Sequence, residues 1–186
     1  MRRSCLSVFR RCLIGGLLTL AAVAPARAVT VAPLSFEELV RQSSAVVYAR
    51  VIAVQGQWSD DRRRIDSLVT VEVIKGLKGP ATAELTLTVP GGQVGRYRNV
   101  MPGAPSFARG DHAVLFLTAR GPRLPVTTGF TQGIYRVVRD TSGTALVTPP
   151  AIEPARAPIV RGDRRRAPIS LDAFETAVRA VRDAVR

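Results

Sequence analysis

Three stretches between Ala45 and Val89 alternate apolar and polar residues with the period of a half-buried β-strand. In the first, Ala45, Val47, Ala49, Val51 and Ala53 make one small apolar face, while Val46, Tyr48 and Arg50 make a half-wet one. In the second, Val69, Val71 and Val73 alternate with Thr70 and Glu72. In the third, Leu85, Leu87 and Val89 alternate with Glu84, Thr86 and Thr88. The pattern predicts three strands that share one core. Further along, Ala113-Val114-Leu115-Phe116-Leu117 is apolar on both faces, which predicts the most buried strand. Val126–Phe130 predicts a short strand, and Ile134–Arg139 pairs with Thr144–Thr148 across the turn Asp140-Thr141-Ser142-Gly143.

Two segments carry helical signals instead. Ser35-Phe36-Glu37-Glu38 spells a capping box, with Leu34 and Leu39 placed as a hydrophobic staple, and predicts a short helix over Phe36–Gln42. Glu37 and Glu38 fall in its first turn, where the helix dipole favours negative charge, so they read as structural. At the other end Ser170 caps a helix in which Leu171, Phe174, Val178, Val181 and Val185 form one stripe, with Glu175 and Arg179 paired at i,i+4. Such a stripe predicts docking onto the sheet.

Glycine and proline set the breaks. Gly76-Leu77-Lys78-Gly79-Pro80 predicts a turn that ends the second strand at Lys75, and Gln57–Arg64 predicts a polar hairpin connection. Pro90-Gly91-Gly92-Gln93-Val94-Gly95 predicts an irregular crossover, and the aperiodic run Tyr97–Gly110 predicts the longest loop, anchored by Phe107. Gly129 and Gly133, flanking Gln132, predict a bulge or a corner.

The N-terminus changes the accounting. Arg2, Arg3, Arg10 and Arg11 precede an apolar run from Leu13 to Ala24, followed by Pro25 and Ala26-Arg27-Ala28. This predicts a secretory signal peptide over residues 1–28, cleaved after Ala28, and a periplasmic or secreted product. The run is shorter than the ~20 residues needed to span a bilayer, so no transmembrane segment is expected after cleavage. Domain boundaries follow: a β-barrel domain with an N-terminal helix over 29–148, a Pro/Arg-rich strap over 149–169 and a closing helix over 170–186. Cys5 and Cys12, the only cysteines, leave with the leader. The mature chain then has no disulfide, thiolate nucleophile or cysteine–metal site. It keeps 22 basic against 14 acidic residues, a net charge of +8.

For an exported chain that charge points away from nucleic acid and towards an anionic envelope polymer or the lipid headgroups of a membrane surface, bound through the Arg-rich segments. An unknown protein stands beside these as the expected partner of a binding domain. Candidate binding residues are Trp58 at a strand end, Gly91 and Gly92 with Arg96 and Arg98 in the glycine-rich segment, and Arg164, Arg165 and Arg166 in the strap. Asp60, Asp61 and Asp66 are interleaved with arginines and lack the spacing of a calcium loop, so no metal and no cofactor are expected. His112 is the sole histidine and the only plausible general base, which makes a hydrolase the alternative to a non-enzymatic binding domain. Arg161-Gly162-Asp163 matches an integrin-type tripeptide by spelling alone.

The capped helix, the strand Ser44–Val51, the strand ending Val71-Glu72-Val73-Ile74-Lys75-Gly76-Leu77-Lys78-Gly79, and Phe107-x-x-Gly110-Asp111 before Leu115-Phe116-Leu117 resemble a group of exported bacterial β-proteins of unknown function. More distantly, the layout from Leu34 to Val138 resembles netrin-like domains, the OB-type barrels of the tissue inhibitors of metalloproteinases. The resemblance implies a mainly β protein with flanking helices, a small antiparallel barrel of five to seven strands that is closed or nearly so. Those inhibitors act through an N-terminal cysteine. Mature Val29 has none, so only the fold carries over.

Overall fold

The computed structural model describes residues 33–80, 82–119, 121–150 and 167–184, all of which belong to one unit, Val31–Arg186. The predicted leader, Val185 of the closing stripe, and Arg164, Arg165 and Arg166 lie outside the described residues. The chain is mainly β with a helix near each end. Helix α1 spans Phe36–Gln42, and the strands follow as β1 Ala45–Trp58, β2 Ile65–Lys78, β3 Glu84–Pro90, β4 Gly92–Val94 and β5 Tyr97–Asn99. Then come β6 His112–Thr118, β7 Val126–Thr127, a 3-10 turn Phe130–Gly133, β8 Ile134–Arg139, β9 Ala145–Thr148, β10 Ile169–Ser170 and helix α2 Leu171–Asp183.

The principal sheet is antiparallel throughout, in the order β10-β9-β8-β6-β1-β2-β3, with β7 also paired to β6. It curls but does not close into a barrel. Between its free edge at β3 and the short β7, one backbone hydrogen bond spans the seam: the Thr88 N–H donates to the Pro125 carbonyl at 3.0 Å. The reason is local. Pro125 has no N–H to offer a ladder, and Gly129 (φ 64°) turns the chain away two residues after β7.

β1 carries the two cores. Val47, Ala49 and Val51 face the inside of the curl with Val69, Val71, Leu87, Val89, Ala113 and Leu115. On its other face Val46 and Tyr48 are buried with Leu77, Val114 and Phe116 beneath both helices. The face expected to be half-wet is therefore dry at this end of the strand and becomes exposed only from Arg50, because α1 and α2 cover it. β6 is buried on both faces as its composition predicts.

Both helices are held by the interactions their sequences spell. In α1 the Glu38 N–H donates to Ser35 Oγ (3.2 Å), and Glu38 Oε2 accepts from the Ser35 N–H (2.7 Å). In α2, Glu175 is buried, pairing with Arg179 at 3.5 Å and with Lys75 of β2 at 2.6 Å. The aromatic rings of Phe36 on α1, Phe116 on β6, Tyr135 on β8 and Phe174 on α2 meet with centroids 5.0–6.4 Å apart. Burial, and behind it the Glu37 carboxylate, push the Tyr135 phenol up to about 12.

β2 runs three residues past its predicted end at Lys75, into the segment expected to turn. Register shifts in its pairing with β1 accommodate Ile74 and Leu77 as extra residues, so Leu77 swings to the helix side and is buried. Lys78 then donates from Nζ to the carbonyls of Val40 (2.5 Å), Arg41 (3.2 Å) and Ser43 (2.8 Å), satisfying the C-terminal end of α1. Burial holds its pKa below that of an ordinary lysine. The hydroxyls of Ser43, Thr128 and Thr118 form a chain at 2.8 Å spacing, and the Leu34 N–H donates to Gln132 Oε1 at 2.7 Å. The corner predicted at Gly129–Gly133 is the 3-10 turn that delivers Gln132 to this bond.

Truncating the ring that the closing helix contributes, Phe174→Ala, is expected to cost roughly 3–5 kcal/mol and to lower Tm by about 10 °C or more, read by thermal melts of residues 29–186. The Ser35 backbone N–H and hydroxyl hold the Glu38 carboxyl below its ordinary value of 4.5. Its contribution to stability is therefore complete above pH 4.5 and lost as pH falls through the lower folded value. A carboxyl-resolved NMR titration checks this by placing the Glu38 midpoint below 4.5, and in Ser35→Ala the midpoint rises.

Candidate functional site

The glycine-rich segment expected to be an irregular crossover is a small hairpin, β4 with β5, whose turn is Gly95-Arg96. The long loop accordingly starts after Asn99, not at Tyr97. Gly91, at φ 89°, makes the sharp turn from β3 into β4 that a side chain would resist. The hairpin then lies across the far end of β1. A Cβ on Gly56 would stand 2.0 Å from the Gln93 carbonyl oxygen, so glycine at 56 is what lets the two backbones touch.

This crossing brings Trp58 and Tyr97 together, ring centroids 5.7 Å apart and edge to face. The Arg96 guanidinium lies 5.1 Å from the Tyr97 centroid and donates to its hydroxyl at 3.0 Å. Trp58 is thus a packed rim residue rather than a free platform. Arg98 makes no side-chain hydrogen bond or ion pair with any described residue.

Beyond β5 the chain folds back over the open end of the curled sheet. Phe107 packs on the inner core, and the Arg136 guanidinium stacks on it at 5.1 Å while pairing with Asp111 at 2.6 Å and donating to the Ser106 carbonyl. The Ala108 N–H donates to the same Asp111 carboxylate at 2.9 Å. Between this loop and the sheet lies a cleft of about 220 Å³. Its floor includes Val69 and Val89 from the inner core, its sides include Met101 and Phe107, and Gly91, Gly92 and Arg98 stand on its lip. Around it Tyr97, Val100 and Met101 are exposed, Val100 by 68%.

Of the predicted binding residues, Trp58, Gly91, Gly92, Arg96 and Arg98 therefore meet at one mouth of the sheet. Val100 and Met101 were not legible as site residues: nothing local distinguishes them from any loop apolar residue, and the cleft they line is made by the return of the chain onto β2 and β3.

His112 sits elsewhere. It pairs with Arg50, on the sheet face opposite Ala113 and Ala49, and so away from the cleft. Its Nδ1 lies 3.1 Å from the Tyr48 hydroxyl, and the neighbouring Arg50 is occupied by Glu72 at 2.7 Å. Asp111, adjacent in sequence, is engaged by Arg136. In the β1–β2 connection, Asp61 takes the Ser59 hydroxyl and Asp66 pairs with Arg64 at 3.0 Å. Among the described residues no group of three or more His, Cys, Asp or Glu side chains is arranged to hold a metal ion. No helix among them is long and apolar enough to cross a membrane.

Comparison with known proteins returned no matching family model and no significant match to a curated protein or a solved structure.

Because Gly56 sets the approach of β4, Gly56→Val is expected to lift the hairpin and separate Trp58 from Tyr97. Trp58 is the only tryptophan, so its emission should shift to longer wavelength while far-ultraviolet circular dichroism stays close to wild type. An unchanged emission spectrum would show that the hairpin does not depend on this contact.

Proposed function

We propose that the chain is an exported, non-enzymatic binding domain whose recognition surface is the mouth formed by β4, β5 and the following loop. The observation that supports this is the exposure of Tyr97, Val100 and Met101 around a cleft whose floor is the sheet's own core. Apolar side chains grouped at a concave site favour a partner that takes them out of water. The engagement of His112 with Tyr48, on the opposite face, favours binding over the alternative of a hydrolase. Export rests on the leader, and the likeness to netrin-like domains remains a proposal about fold, supported by the curled sheet with its two helices.

A second reading, binding of an anionic envelope polymer, is favoured by one observation: the Arg96 and Arg98 guanidinia have no carboxylate partner among the described residues. Such binding is driven by charge and should weaken steeply between low and physiological salt.

The mature chain, its Val100→Asp/Met101→Asp double variant and His112→Ala are to be compared for material captured from an envelope fraction at two salt concentrations. The expected result is capture by wild type and by His112→Ala, with loss in the double variant. Equal capture by all three would remove the mouth from consideration. A turnover abolished in His112→Ala, with an intact far-ultraviolet spectrum, would put the hydrolase in its place.

A further inference from the structure

Resting on the reading of the mouth as a binding site, we propose that the cleft takes an anionic amphiphile, its aliphatic chain entering between the loop and the sheet and its acidic head on Arg98. Its interior is lined by apolar side chains, Val69 and Val89 on the floor and Met101 and Phe107 on the sides. Of the polar side chains on its wall, Ser67 Oγ donates to the Gly91 carbonyl at 2.7 Å and Asn99 Nδ2 to the Ile65 carbonyl at 3.4 Å, which leaves the Ser106 hydroxyl. A ligand rich in hydrogen-bonding groups would therefore find few partners inside. Arg98 is the one charged lining residue, its fork of donors unused, placed where the cleft meets solvent.

One charge at the entrance and hydrocarbon within is the complement of a chain with one acidic end. A volume of about 220 Å³ holds roughly seven groups of ~30 Å³, the share of one water molecule and close to that of one methylene. The site thus suits a medium-length acyl chain, or the first part of a longer one. A free fatty acid and an acyl phosphate ester share this chemistry.

The test is calorimetric titration of the mature chain with hexanoate, octanoate, octyl phosphate and octanol, together with flotation on phosphatidylglycerol vesicles. Saturable binding of octanoate is expected, tighter than hexanoate by about fourfold per added methylene. Octanol should bind more weakly than octanoate. Arg98→Gln should lower octanoate affinity about tenfold or more and leave octanol unchanged. Ala104→Trp, on the loop that lines the cleft and not in the sheet core, should block all three eight-carbon ligands without lowering Tm. Preference for octanoate over octyl phosphate assigns the head as a carboxylate; the reverse, or flotation with vesicles that Ala104→Trp abolishes, assigns it as a phosphate ester. No length dependence, octanol equal to octanoate, or full binding by Ala104→Trp would each overturn the proposal. If envelope capture still fails in the Val100→Asp/Met101→Asp variant when the amphiphiles do not bind wild type, the mouth stands and the ligand class falls. If capture is also indifferent to that variant, the mouth falls with it.

Discussion

The four-ring contact of Phe36, Phe116, Tyr135 and Phe174 is the constraint on which the rest of the structure depends. It joins the two helices, α1 and α2, to each other and to the paired strands β6 and β8. Its location decides what the other face of the sheet can do. With both helices spent on one face, the inner residues of β1, β2, β3 and β6 have no helix to cover them and must bury one another by curling. A sheet that curls without closing leaves an open end, and the loop after β5 partly covers it. The mouth is therefore a consequence of where the helices dock.

Much of this was legible because it is local. The alternation in β1, β2 and β3, the capping box of α1, the turn at Asp140–Gly143 and the stripe on α2 each depend on residues within one or two turns of one another. What was hidden depends on distant partners. Val46 and Tyr48 look half-wet until Leu39, Phe174 and Val178 are laid over them. Lys78 reads as a turn residue because its acceptors, the last carbonyls of α1, are more than thirty positions away. β5 has no periodicity of its own over three residues and is a strand only because Gly56 lets the hairpin settle on β1. The barrel expectation overshot for a similar reason: closure fails at Pro125 and Gly129, which a count of strands does not register.

The candidate site divides along the same line. Trp58, Gly91, Gly92, Arg96 and Arg98 were visible as unusual residues but not as neighbours, and the contact that unites them, Trp58 with Tyr97, crosses from the end of β1 to the start of β5. Val100 and Met101 gain meaning only from the cleft. Arg164, Arg165 and Arg166 belong to the segment outside the described residues.

The distribution of charge adds a last argument. A basic chain can carry arginine for reasons of composition alone, and in that case its guanidinia should pair with carboxylates wherever they meet. Many here do: Arg50 with Glu72, Arg64 with Asp66, Arg136 with Asp111 and Arg179 with Glu175 each tie one element to another or stiffen one turn. Arg41, Arg62, Arg96, Arg98, Arg109, Arg123 and Arg139 have no such partner among the described residues, and three of them, Arg96, Arg98 and Arg109, belong to the hairpin and loop at one end of the sheet. Arg96 is held by the Tyr97 ring and hydroxyl, whereas Arg98 and Arg109 make no side-chain hydrogen bond or ion pair among the described residues from which the fold would draw stability. The placement of Arg96 and Arg98 beside exposed Tyr97, Val100 and Met101 is complementary to a ligand that is anionic and partly apolar.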